Sequence, residues 1–126
     1  MSYWAAIAAC VILAGLGVFQ AALAAGTPWG HLAWGGRYKE LPPLMRGGSF
    51  LAIIVYGIGA AIIVQRAGVA TVLPQTMVDI GIWVVAGYLL LGVAMNAVSR
   101  SLPERLAMTP LTVVLLILVL IVAFGL

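Results

Sequence analysis

Charge is scarce in this chain. Six Lys and Arg and three Asp and Glu make up 7% of its 126 residues, while 65% are hydrophobic. A soluble globular domain carries about 25% charged residues, so that class is excluded. Sulfur and imidazole are scarcer still, with one cysteine, Cys10, and one histidine, His31. One cysteine excludes an intrachain disulfide, and a lone histidine without a second His, Cys or neighbouring carboxylate makes a poor metal site. No cofactor is implied. The sequence also lacks a low-complexity segment, a flexible linker and any basic face outside the apolar runs, which argues against nucleic acid as a partner.

What remains is a set of apolar runs bounded by the few charges. Leaving His31 aside, the charge-free runs cover residues 1–36, 47–65, 80–99 and 106–126. A spanning helix needs about 20 mostly apolar residues. The last three runs each match one crossing, whereas 67–78, broken by Pro74, is too short. The first run exceeds one crossing, and its surplus is the stretch GTPWGHLAWGG, Gly26 to Gly36. Four glycines and a proline there oppose a helix. Irregular backbone is tolerated at membrane depth only when buried in protein or lining water, so this stretch belongs in the headgroup region or folded back on the bundle. The expected fold is all-α, a polytopic membrane protein: a four-transmembrane-helix bundle with an interfacial or re-entrant first loop. The expected helices are about 3–25, 48–66, 78–99 and 104–126, with loop 26–47 at the cytoplasmic interface.

Orientation follows from the basic residues, which favour cytoplasmic loops. Arg37, Lys39, Arg46, Arg100 and Arg105 fall in the first and third connections and Arg66 alone in the second. Both termini are then expected outside. Ala22-Leu23-Ala24 resembles a signal-peptidase site and Ile7-Ala8-Ala9-Cys10 a lipoprotein box, but neither has a charged n-region before it. The first helix is expected to stay uncleaved. The net charge of +3 suits anionic headgroups, and membrane lipids are the expected partners.

The helix faces carry the candidate site. Tyr88, Gly92, Asn96 and Ser99 recur at helical spacing and stack on one face of helix three. Helix two repeats this more weakly through Ser49, Ala52, Tyr56 and Gly59 or Ala60, and helix one offers Gln20 beside Gly17, Ala21 and Ala24. Such stripes are commonly helix interfaces, including contacts in a homo-oligomer or with a larger membrane partner. Under the assigned topology Gln20, Ser49, Asn96 and Ser99 share the inner leaflet and are expected to converge. A pocket there would open toward the cytoplasm beneath GTPWGHLAWGG. Helix four is branched aliphatic all round and reads as mainly lipid-facing.

In the loop, Trp29 and Trp34 suit either a clamp on an apolar ligand or the aromatic belt of a membrane interface. Tyr3, Trp4 and Trp83 fit that belt on the outer side. His31 could move a proton or bind an anionic headgroup, or simply make a structural hydrogen bond. Arg37, Arg46, Arg100 and Arg105 could form an anion-binding rim or serve only as topology determinants. Ser101 to Glu104 reads as a capping box, Thr76 to Asp79 has the same spacing, and Pro110 falls inside helix four, where its missing donor favours a kink. A weak echo, Leu41-Pro42 and Leu102-Pro103, relates the two halves.

The pattern Pro28-Trp29-Gly30, Ala33-Trp34-Gly35-Gly36, then Leu41-Pro42, Arg46 and Ser49, followed by Asn96, Ser99-Arg100-Ser101 and Glu104-Arg105, resembles an uncharacterised group of small four-span bacterial membrane proteins. The resemblance implies a bacterial inner-membrane location and a common site near these residues, and it supplies no activity. Three functions stay open. The first is binding or translocation of a small amphiphile or lipid, with Trp29, His31, Trp34, Arg37, Arg46, Gln20, Ser49, Asn96, Ser99 and Arg100 as ligand-binding candidates. The second is an accessory subunit without its own ligand. The third is a membrane-embedded lipid-modifying enzyme, which would need His31 within hydrogen-bond reach of a carboxylate or serine.

Overall fold

A computed structural model describes residues 1–126. Four helices cover most of the chain: α1 (Ser2–Ala24), α2 (Pro43–Arg66), α3 (Gln75–Ala97) and α4 (Leu102–Ala123). All four are long and apolar enough to cross a membrane. The protein is a multi-pass four-helix bundle. Each helix packs against two neighbours in the cyclic order α1, α2, α3, α4, and α2 and α4 also touch across the diagonal.

Local chemistry sets the helix boundaries. Pro43 opens α2, Pro74 precedes α3 and Pro103 sits in the first turn of α4, positions where a fixed φ and a missing N–H cost nothing. Helix two therefore starts five residues before the expected 48, which brings Arg46 inside it; the first loop is correspondingly shorter, 25–42. Three helices end alike: Gly26, Gly68 and Gly125 adopt positive φ, and the next residue's N–H reaches back to Ala22, Val64 and Ile121 respectively. This is the glycine-terminated Schellman arrangement. The spacing of Thr76 to Asp79 does not make a cap, because α3 already begins at Gln75, and Asp79 instead accepts from Gln75 and pairs with Arg66. Helix α4 runs unbroken through Pro110.

The two ends of the bundle differ. The end that gathers both termini and the α2–α3 connection holds the apolar core, built from Ala5, Ala6, Ala9 and Leu13 of α1, Ile62 and Ile63 of α2, Val78, Ile82, Ala86 and Leu89 of α3, and Leu115, Val119, Val122 and Ala123 of α4. Helix α4 is thus as much a core helix as the others, with the same buried share. Its uniformly aliphatic surface carries no mark of which side faces inward. The opposite end, beneath loop 25–42, holds Leu23 and Leu41 together with three of the four buried polar residues, Ser49, Ser99 and Glu104; the fourth, Gln65, lies at the terminal end. Only 22 of the 126 residues are buried, so most helix surface is left for lipid or for a partner.

Candidate functional site

Loop 25–42 lies across the polar end and is tied down at several points. Its shape comes from two short 3-10 turns, Gly30–Leu32 and Trp34–Gly36. Trp34, Gly35 and Gly36 have φ of 53°, 73° and 71°, a left-handed run that glycine enters freely and tryptophan only at some cost. The run aims the Gly35 N–H at Glu104, whose Oε2 accepts it at 3.0 Å. Ser101 caps α4 by accepting from the Glu104 N–H, and its own hydroxyl donates to the His31 carbonyl. The capping box is therefore half local. Its serine behaves as the spacing predicts, while its glutamate turns to the loop and the Ser101 N–H goes to Ser99 Oγ at 3.1 Å. The Trp34 indole covers Gly48 of α2 at 3.0 Å from where a Cβ would stand. Gly30 donates to the Lys39 carbonyl at 2.8 Å, and a side chain there would run into the Tyr38 carbonyl.

The sequence-derived candidates separate into three groups. Trp34, Arg46 and the His31 backbone hold the loop to the bundle, and Ser99 serves the α3–α4 connection by accepting from the Ser101 N–H. Arg46 Nε donates to the Leu41 carbonyl at 2.7 Å, with its guanidinium over Gly26. Trp29, Arg37 and Arg100 are exposed; Arg37 lies 5.7 Å from the centre of the Tyr38 ring, and the one salt bridge of the chain is elsewhere, between Arg66 and Asp79. The His31 imidazole is exposed and makes no hydrogen bond. The third group, Gln20, Ser49 and Asn96, lies within the bundle but does not form one cluster. Gln20 Nε2 donates to Tyr56 Oη at 3.4 Å, and Asn96 Nδ2 donates to Thr112 Oγ1 at 3.0 Å. Ser49 is fully buried and its Oγ has no partner.

A deeper concavity lies elsewhere on the bundle. A cleft of about 670 Å³ runs between α2 and α3 with α1 and α4 as its floor. Its rim residues, Ile58, Ile80, Val84 and Tyr88 among them, are exposed, so it opens sideways toward lipid. Two stripes noted in the sequence form its walls: Tyr56 with Gly59 on α2, and Tyr88, Gly92 and Asn96 on α3. Thr112 of α4 completes the lining beside Asn96, and no charged residue contributes. Gln20, Ser49, Ser99 and the loop residues are not part of it. Thr112 was not apparent from the sequence, because its role depends on α4 packing against α3, for which a lone threonine among aliphatics gives no signal.

A shallower groove of about 410 Å³ lies between α1 and α2, lined by small residues including Cys10, Ala14, Gly17, Ala21, Gly57 and Ala60. Aromatic side chains mark both ends of the bundle: Trp29 and Trp34 on the loop, and Tyr3 against Trp4 and Trp83 against Phe124 at the other end. The chain matches no protein-family model, no curated protein and no solved structure.

Proposed function

We propose that this protein binds a lipid or small amphiphile in the cleft between α2 and α3, with the loop end facing the cytoplasm of a bacterial inner membrane. The cleft carries the reading. At about 670 Å³ it falls within the roughly 300–1,000 Å³ typical of small-molecule sites, and it combines apolar walls with a few convergent hydroxyl and amide groups. Its sideways opening makes lipid-dissolved molecules the natural ligands. The orientation rests on Arg37, Lys39, Arg46, Arg100 and Arg105 at the loop end against Arg66 at the other. In this reading the loop is a strap that fixes the polar end of the bundle, and the cleft is reached through its side.

Native mass spectrometry of gently extracted protein tests the reading. A defined lipid or amphiphile should co-purify with the wild type and fall at least tenfold in Ile58→Trp/Val84→Trp, which fills the mouth of the cleft from two exposed positions. Loss instead in Trp34→Ala/His31→Ala would move the site to the loop. Bulk lipid alone in every variant would remove the binding reading.

A second reading, an accessory subunit, draws on the shallow α1–α2 groove. Small residues let transmembrane helices approach closely, and Ala14, Gly17 and Gly57 would admit a helix from a second copy or a larger partner. A stoichiometric protein partner in the same spectra, lost in Gly17→Leu, supports it.

A further inference from the structure

The cleft is polar where a membrane is least so. Tyr56 is the fourteenth residue of a 24-residue helix and Tyr88 the fourteenth of a 23-residue one, so both side chains leave the backbone near the middle of the crossing. Tyr56 Oη accepts from Gln20, which leaves its own O–H to give, and the Tyr88 hydroxyl makes no hydrogen bond within the protein. Asn96 commits one amide hydrogen to Thr112, and Thr112 passes its own to the Met108 carbonyl. Asn96 Oδ1 remains without a partner inside the chain. These groups offer hydrogen-bond donors and acceptors to a ligand and no charge of either sign.

Between an apolar cleft and an apolar bilayer there is little hydrophobic advantage to either side, because lipid tails are as apolar as the walls. Selectivity in such a site rests on shape and on hydrogen bonds. An ionised head drawn to this depth would lose its hydration with no cation to meet it, which is strongly unfavourable. A hydroxyl or carbonyl head loses far less and gains the tyrosine partners. We infer that the cleft selects uncharged lipids whose hydroxyl or carbonyl head reaches the Tyr56 and Tyr88 hydroxyls, with Asn96 about 12 Å farther toward the loop end, and discriminates against phosphate-bearing lipids of the same chain. This rests on the lipid-binding reading given above.

A matched pair of photoreactive probes separates the two claims: a long-chain alcohol with a diazirine in its tail, and the phosphate monoester of that alcohol. Each is incorporated into nanodiscs holding the full-length protein, irradiated, and the labelled peptides are mapped by mass spectrometry. The alcohol should label cleft residues of α2 and α3 at least tenfold more than the phosphate ester. Tyr88→Phe, an exposed position where the ring is kept, and Tyr56→Phe should lower alcohol labelling severalfold and leave the phosphate ester unchanged. Equal labelling of the cleft by both probes, or preference for the phosphate, overturns the head-group selectivity while lipid binding stands. Labelling spread evenly over all lipid-facing surfaces overturns the binding reading itself.

Discussion

Glu104 is 6% exposed and pairs with no cation, and what meets its carboxylate is the backbone N–H of Gly35. A hydrogen bond to a charged group contributes about 1.5–3 kcal/mol, so this contact is a principal fastening of the first loop. Glu104→Leu should release it, and trypsin cleavage after Arg37 and Lys39 in detergent should quicken about tenfold or more, which follows from the same energy. Glu104→Gln keeps an acceptor oxygen for Gly35 without the charge and should quicken cleavage only severalfold. Equal protection in wild type and Glu104→Leu would mean that Trp34 on Gly48 and Arg46 on Leu41 suffice to hold the loop. The long-range partner of Glu104 was not legible in the sequence, since a capping box predicts only that the glutamate turns back on its own helix. Trp34-Gly35-Gly36 did signal irregular backbone. What it could not disclose was that the left-handed turn there serves a carboxylate on the fourth helix.

Among the elements, the α2–α3 connection is held by one side chain. Gln65 accepts from the Val72 and Leu73 N–H groups at 2.8 and 2.7 Å and donates to the Leu73 carbonyl at 2.8 Å. Gln65→Leu removes all three bonds, at about 1–3 kcal/mol, and amide exchange at Val72 and Leu73 should accelerate roughly tenfold to a hundredfold. Unchanged exchange would show that the connection keeps its shape without the Gln65 side chain. Beside Arg66, a glutamine reads from sequence as part of a solvated helix end, so this role stayed hidden. The helices themselves were legible because nine charges bound the apolar runs. Their starts were less so: the run between Arg46 and Arg66 placed the second helix by its charges, whereas Pro43 begins it. Periodicity marked the walls of the cleft, Tyr56 with Gly59 and Tyr88 with Gly92 and Asn96, because spacing alone puts such residues on one face. It could not pair one helix with another, which is why Gln20, Ser49, Asn96 and Ser99 were expected together, whereas Gln20, Asn96 and Ser99 bond to separate partners and Ser49 Oγ to none.

For the whole molecule, the division into an apolar end and a strapped polar end fixes what orientation means. In a background with Cys10→Ser, Thr71→Cys at the terminal end should react with a membrane-impermeant maleimide added to intact bacterial cells, and Glu40→Cys should react only after permeabilisation. The reverse pattern would place the strap outside and count against the charge rule for this chain. Polarity is not the only difference between the ends. Helices α2 and α3 are joined at the terminal end by their short connection and by Arg66, which donates to Asp79 and also to the Ala123 carbonyl of α4. No hydrogen bond joins them farther along, for at the other end α2 meets the loop and α3 meets Thr112 of α4. The pair is thus stapled directly at Arg66 and only indirectly at the loop end, where the strap links α2, through Trp34 and Arg46, to α4, through Glu104 and Ser101. The mouth of the cleft, Ile58, Ile80 and Val84, lies in the half of the pair nearest Arg66, so a molecule entering it sideways would come from the leaflet on the terminal side.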